Sequence, residues 1–208
     1  MAFSGIPTAA LDFYEDLEGD NSKSFWAAHK PTYDTCVRAP LEELAGALAA
    51  EFGEGKLFRP YRDVRFSADK TPYKTHQGVW FADASTYVQV AASGLFVAAG
   101  YWRTSPEQIG RLRRAVADDA TGPALTEAVE TVRRKGFEVG GHQLVRVPAG
   151  FAKDHPRADL LRQKTLTVHR ELGSPEWMAT AKAKAEVAKL WRAMSPVVTW
   201  LDAHVGPA

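Results

Sequence analysis

Residues 78–102 read GVWFADASTYVQVAASGLFVAAGYW. Three runs rich in β-branched and aromatic residues fall within that span: Gly78 to Phe81, Thr86 to Ala91 and Leu95 to Trp102. The breaks between runs, Asp83 to Ser85 and Ser93-Gly94, are turn sequences too short for a crossover helix. Only antiparallel neighbours can be joined that way, so the centre of the chain is predicted to be a sheet meander.

Upstream the apolar period changes from two to about 3.6. Ala10, Phe13, Tyr14 and Leu17 mark a first helix after Thr8, a candidate cap, and Gly19 ends it. A longer helical pattern runs through Phe25, Trp26, Tyr33, Val37, Leu41, Leu44, Leu48 and Phe52, with Pro31 and Pro40 expected to kink it or start new segments. Downstream, Ser105-Pro106-Glu107-Gln108 has the form of a capping box with proline at the first helical position. A further helix is expected from Pro123 to Lys135, with Gly136 at its C-terminal turn. Strands are expected at Phe137 to Val139 and Leu144 to Val147, then a short helix over Pro156 to Arg162 and a strand over Thr165 to Leu172. A last helix opens at Ser174-Pro175-Glu176, with Trp177, Ala181, Ala185, Ala188 and Trp191 facing inward. Helices and strands come in blocks, which predicts an α+β protein with an antiparallel or mixed sheet packed with several helices. No repeat or linker divides the chain, so residues 1–208 are expected to form one domain.

Composition narrows the function classes. The chain has 208 residues, 45% hydrophobic and 25% charged, with a formal net charge of +1; no global field draws it to nucleic acid or anionic lipid. A single cysteine, Cys36, excludes an internal disulfide framework and multi-cysteine metal sites within one chain. No signal sequence and no apolar run of membrane-spanning length is apparent, and the expected location is cytoplasmic. The six histidines lack paired ligand spacing, so no metal site is expected. Glycine-rich nucleotide motifs and the G-x-S-x-G elbow are absent, and no cofactor is expected.

Charge is instead local. Residues 56–76, KLFRPYRDVRFSADKTPYKTH, hold Lys56, Arg59, Arg62, Arg65, Lys70 and Lys74 against Asp63 and Asp69, a local excess of +4. Phe58, Tyr61, Phe66 and Tyr73 are interleaved with them. Guanidinium forks, lysine point charges and aromatic rings together suit a planar or phosphorylated anion. A strand over Arg62 to Phe66 would bury Val64 and Phe66 and display Asp63 and Arg65, followed by a loop presenting Ser67, Asp69 and Lys70. On that reading Arg62, Arg65, Lys70 and Lys74 are the charge partners, Tyr73 and His76 form the rim, and Asp63 or Asp69 is the candidate general base. Surface ion pairs, Asp63 with Arg65 and Asp69 with Lys70, are the competing account. A second polar stretch, Lys153-Asp154-His155-Pro156-Arg157 with Arg162, Lys164 and His169, adds His155 and Lys164 as candidates if the fold brings it near; Asp154 as a helix cap is the structural alternative. The helix arginines, Arg111, Arg113, Arg114, Arg133 and Arg134, stand among Asp118, Asp119, Glu127 and Glu130 and read as a solvated face.

The string Arg62-Asp63-x-Arg65-Phe66-Ser67-x-Asp69-Lys70-x-Pro72-Tyr73-Lys74 resembles the signature of a conserved hypothetical family, domain of unknown function 2461. Similar features extend over about residues 8–203: Phe13 to Trp26 with its asparagine-containing turn, Tyr87, Gly100-Tyr101-Trp102, Pro148-x-Gly150-Phe151, Asp154-His155-Pro156 and Leu160 to Lys164. Phe25-Trp26 departs from the family's Trp-Phe order. The resemblance implies a protein found in bacteria and fungi and brings no activity, cofactor or catalytic residue. Three functions stay open: binding of a small anionic ligand, with or without catalysis; a nucleic-acid or protein-interaction module; and a scaffold in which the motif pins a loop to the sheet.

Overall fold

The three central runs become strands of one antiparallel sheet in the computed structural model, which describes residues 3–65 and 68–206. In chain order the elements are α1 (Ala9–Gly19), α2 (Lys23–Thr32), α3 (Ala39–Phe52), β1 (Gly55–Leu57), β2 (His76–Phe81), β3 (Thr86–Ala91), β4 (Gly94–Tyr101), α4 (Pro106–Ala117), α5 (Gly122–Arg134), β5 (Glu138–Gly140), α6 (Ala158–Leu161), β6 (Leu166–Gly173) and α7 (Lys182–His204). Strand order is β1-β2-β3-β4-β6-β5, an open sheet in an α+β fold. By Cα proximity the chain divides into one unit with the residues up to Val97 and Glu171–Leu190, and a second with Ala98–Arg170 and the residues from Trp191 on.

In the first unit, β2 pairs antiparallel with β1 (Leu57 opposite Val79) and with β3 (His76 opposite Ala91, Gly78 opposite Gln89, Trp80 opposite Tyr87). This register puts Gln77, Val79, Phe81, Val88 and Val90 on one face, where all are essentially buried. That face meets the helices: α3 and α1 pack on it, and Tyr33 Oη donates to Gln77 Oε1 at 2.7 Å. Burial pushes the Tyr33 phenol up to about 12, which keeps it a neutral donor. The other face carries His76, Trp80, Tyr87, Gln89 and Phe96, each half-buried.

Pro31 does not end α2. A π-helical turn at Tyr33–Arg38 joins α2 to α3. The prolines on either side of it, Pro31 and Pro40, each remove an amide donor from the normal ladder, and the wide turn absorbs the mismatch. Thr35 Oγ1 donates to the Pro31 carbonyl at 2.9 Å. Ser22 caps α2 by accepting from the Phe25 amide at 3.1 Å, whereas Thr8 makes no side-chain cap to α1.

In the second unit, the Ser105 capping box forms as its sequence predicts, and Gly136, with φ of +78°, turns the chain after α5. Leu112, Val116, Leu125, Val129, Leu161 and Val168 are buried there. Three expectations, two in this unit and one in the Glu171–Leu190 segment of the first, need correction. Residues 144–147 form no strand; their region is held by a bridge between Gln143 and Gln163. The short helix covers only Ala158–Leu161. Glu176–Ala179 is a separate 3-10 turn, so α7 begins at Lys182; its buried side is set by Ala183, Val187, Trp191 and Met194, while Ala181 and Ala185 are exposed. Pro196 lies inside α7. No helix among the described residues is long and apolar enough to cross a membrane.

Candidate functional site

The motif builds a loop rather than a strand. Tyr61 and Tyr73 form an isolated antiparallel bridge, closed by Arg62 N–H to Pro72 O at 2.9 Å and Lys74 N–H to Pro60 O at 2.8 Å. The predicted strand at Arg62 is therefore corrected: pairing stops at Tyr61, because Asp63 turns back to accept from the Arg65 amide at 3.3 Å. Phe66 and Ser67, expected to anchor and to display respectively, lie outside the described residues. Below the bridge, Tyr73 stacks on Trp26 with ring centroids 4.2 Å apart and planes at 7°, and Tyr61 covers the pair while 52% exposed.

Inside the loop the charges satisfy one another. Arg62 Nη1 donates to Asp69 Oδ2 and to Thr71 Oγ1, and Asp69 Oδ1 accepts from the Thr71 amide at 2.9 Å and hydroxyl at 2.8 Å. Asp63 takes both nitrogens of the Arg65 fork, Nε at 2.9 Å and Nη2 at 2.8 Å. Lys70 Nζ donates to the Val64 carbonyl at 3.0 Å; the expected Asp69 to Lys70 pair is replaced by Asp69 to Arg62. Arg65 hydrogen bonds hold the Asp63 carboxyl below the usual range, and Thr71, then Arg62, do the same for Asp69. A carboxylate stabilised in its charged form is a weaker base, so this arrangement favours structural work over proton abstraction for both.

A second group of cations, sharing Arg62 with the loop, gathers on the side away from the tyrosine rings. Strand alternation about the Tyr61 to Tyr73 bridge puts Arg62 and Lys74 on the side opposite the tyrosine rings, and His76 repeats the parity of Lys74. Lys74 Nζ lies 5.4 Å from the Phe58 ring centroid. Lys74 and His76 are half-buried and form no ion pair among the described residues. Burial and Arg59 push the Lys74 ammonium down; burial, Lys74 and Arg62 push the His76 imidazole down. Arg59, Arg62, Lys74 and His76 thus share a region of positive potential. Arg59 was countable in the sequence as part of the basic run, but its place beside Lys74 depends on how the chain enters the loop.

His155 and Lys164 belong to the second unit and have local roles there. His155 Nδ1 accepts from the Arg157 amide at 3.0 Å. The Lys164 backbone bonds His142 O through its amide and Thr104 Oγ1 through its carbonyl, leaving the side chain exposed. Asp154 makes no cap: residue 157 occupies that position, without a side-chain cap bond. Arg157 instead seals the end of α4, donating to Val116 O at 2.6 Å, Ala117 O at 2.9 Å and Asp119 Oδ1 at 2.7 Å. Among the described residues no group of three or more His, Cys, Asp or Glu is placed to hold a metal ion.

A family model described as "Conserved hypothetical protein (DUF2461)" matches residues 9–200. No curated protein matches the chain. Among solved structures, an uncharacterized protein from Methanothermobacter thermautotrophicus is similar at 16% identity, covering 79% of this chain and 99% of its own, with a TM-score of 0.42.

Proposed function

Because the chain belongs to the DUF2461 family of conserved hypothetical proteins, a description that names no activity, we propose its function from the site alone: it binds a small anionic ligand, phosphorylated or carboxylated, through Arg59, Arg62, Lys74 and His76. The observation that carries this reading is the pair Lys74 and His76. Both are half-buried, both are destabilised as cations by their surroundings, and neither has an acidic partner among the described residues. An anion seated between them removes the repulsion and the desolvation cost at once. Arg65 and Lys70 play a smaller part, since Asp63 and the Val64 carbonyl already engage them. Tyr73 supports the loop through its stack with Trp26. The single cysteine supports a reducing, cytoplasmic setting.

The test is calorimetric titration of inorganic phosphate and citrate at low salt into the parent, Lys74→Gln and His76→Gln. The expected result is binding by the parent and at least tenfold weaker binding by Lys74→Gln. Equal affinities in parent and variant, or no binding of either anion, overturn the reading.

A scaffold role is the second reading, favoured by the ties of Arg62 and Lys70 within the loop itself. It predicts that Arg62→Ala lowers the melting temperature while leaving anion binding by Lys74 and His76 in place.

A further inference from the structure

Gln89 stands on β3 beside the cationic cluster. The register sets Gly78 opposite Gln89 and Ala91 opposite His76, so Gln89 and His76 are diagonal neighbours on one sheet face, within the reach of long side chains. Gly78 leaves the place between His76 and Trp80 without a side chain, and a Cβ there would fall 1.9 Å from Tyr87 Oη. The Tyr87 hydroxyl fills that place and donates to Gln89 Oε1 at 2.9 Å. Burial pushes the Tyr87 phenol up, which keeps it protonated and a donor. With its oxygen engaged in this way, the half-buried Gln89 side chain turns its amide nitrogen away from Tyr87. That nitrogen forms no hydrogen bond among the described residues and is not sealed from solvent. Neither β2 nor β3 contains an aspartate or glutamate that would repel an anion there.

We propose that Gln89 is a ligand-binding residue, and that the ligand is an anion carrying a neutral oxygen, a hydroxyl or carbonyl, a few bonds from its charged group. The inference rests on the anion-binding reading and adds the second half of the ligand. The charged group lies among Arg59, Arg62, Lys74 and His76, and the Gln89 amide donates to the neutral oxygen. A primary amide offers two N–H donors without adding charge, which suits an oxygen that carries none. Tyr87 is a positioning residue: it holds the amide in one orientation before the ligand arrives, so less side-chain freedom is lost on binding. A site built to hydrogen-bond a hydroxyl discriminates against the analogue that lacks it. Sugar phosphates and hydroxy acids share this chemistry.

The experiment compares two pairs of anions that differ in their hydroxyls, glycerol 3-phosphate against n-propyl phosphate and malate against succinate. Each is titrated by calorimetry at low salt into the parent, Gln89→Leu, Gln89→Glu, Tyr87→Phe and Lys74→Gln. The expected result is that the parent binds the hydroxylated member of at least one pair about tenfold tighter, and the pair that shows it names the charged group as phosphate or carboxylate. Gln89→Leu should bring the two members of that pair to within about twofold. Tyr87→Phe should reduce the advantage severalfold by freeing the amide. Gln89→Glu keeps the acceptor for Tyr87 but sets a carboxylate oxygen where the amide nitrogen was; it should weaken every anion, and it decides the question if Gln89→Leu does not fold. Lys74→Gln should weaken both members of each pair. Equal binding within both pairs by the parent, an advantage that survives Gln89→Leu, or parental affinity in Gln89→Glu overturns the inference and leaves the anion site standing. Binding of none of the four anions by the parent overturns both.

Discussion

Asn21 stands in for a neighbouring strand at Tyr73: its Oδ1 accepts from the Tyr73 amide at 3.0 Å and its Nδ2 donates to the Tyr73 carbonyl at 3.1 Å. One side chain in the turn between α1 and α2 thereby fixes the foot of the motif loop. Asn21→Ala leaves both backbone groups part-buried without partners, and we expect a loss of about 2 kcal/mol in urea unfolding. Asn21→Asp keeps the acceptor but sets a carboxylate oxygen against the Tyr73 carbonyl, so it should not recover the loss. Stability within about 0.5 kcal/mol of the parent for the alanine variant, a typical neutral surface change, would mean that water replaces the amide.

His76 should make the protein acid-sensitive. Its folded-state pKa lies below the ordinary value of 6.5, chiefly through burial, so between the two pKa values the unfolded chain binds more protons. Stability therefore rises with pH across that window, is complete above about 6.5, and is lost as pH falls through it. Melting curves from pH 8 to pH 5 should show a steeper decline for the parent than for His76→Gln. Added phosphate should flatten the parent's decline, because the anion favours the protonated ring. Parallel curves for the two proteins would show that His76 does not carry this dependence.

Arg62 and Arg65 look interchangeable in the sequence and should behave differently. The Arg65 and Asp63 side chains are 76% and 57% exposed, and exposed pairs contribute little; Arg65→Ala should leave the melting temperature unchanged. Arg62 is 33% exposed and ties Asp69 and Thr71 together. Arg62→Ala should loosen the loop, and trypsin should cut after Lys70 several-fold faster than in the parent. Identical digestion rates would remove Arg62 from that role.

Gly78 and Tyr87 should be coupled. A Cβ at residue 78 would fall 1.9 Å from Tyr87 Oη, and that hydroxyl is held by Gln89 Oε1 at 2.9 Å. Gly78→Ala must displace the ring and is expected to cost about 1–3 kcal/mol, as overpacking does. In the Tyr87→Ala background the same change should be close to neutral, giving an interaction energy that a double-mutant cycle reads directly. Additive costs would mean that the penalty at residue 78 does not come from the Tyr87 ring.

The meander was legible because the short turns at Asp83 to Ser85 and Ser93-Gly94 admit one kind of connection. The start of α4 was legible because Ser105 and Gln108 are both within the first turn that they cap. Where the reading failed, the deciding contact lay farther off. Val64 and Phe66 suggested a strand, but pairing ends at the Tyr61 to Tyr73 bridge, formed by residues on either side of the loop. Ser174-Pro175-Glu176 suggested the start of α7, but a 3-10 turn intervenes, and the inward face of the helix shifts with it. The basic, aromatic character of residues 56–76 could be counted, and Lys74 and His76 share a face by simple parity. Which cations are spent within the loop could not be read, since Arg62 finds Asp69 only once the turn between them closes.

The bridged tyrosines also bear on how the protein can change. The loop opens and closes at one pair of residues outside the strands, and Arg62, Asp69, Thr71 and Lys70 find partners within the excursion itself. Closure entropy grows slowly with loop length, so a longer or shorter segment spliced between Tyr61 and Tyr73 need not disturb the strands beneath. The segment is a replaceable cartridge, and altered loops can be grafted there without redesigning the scaffold.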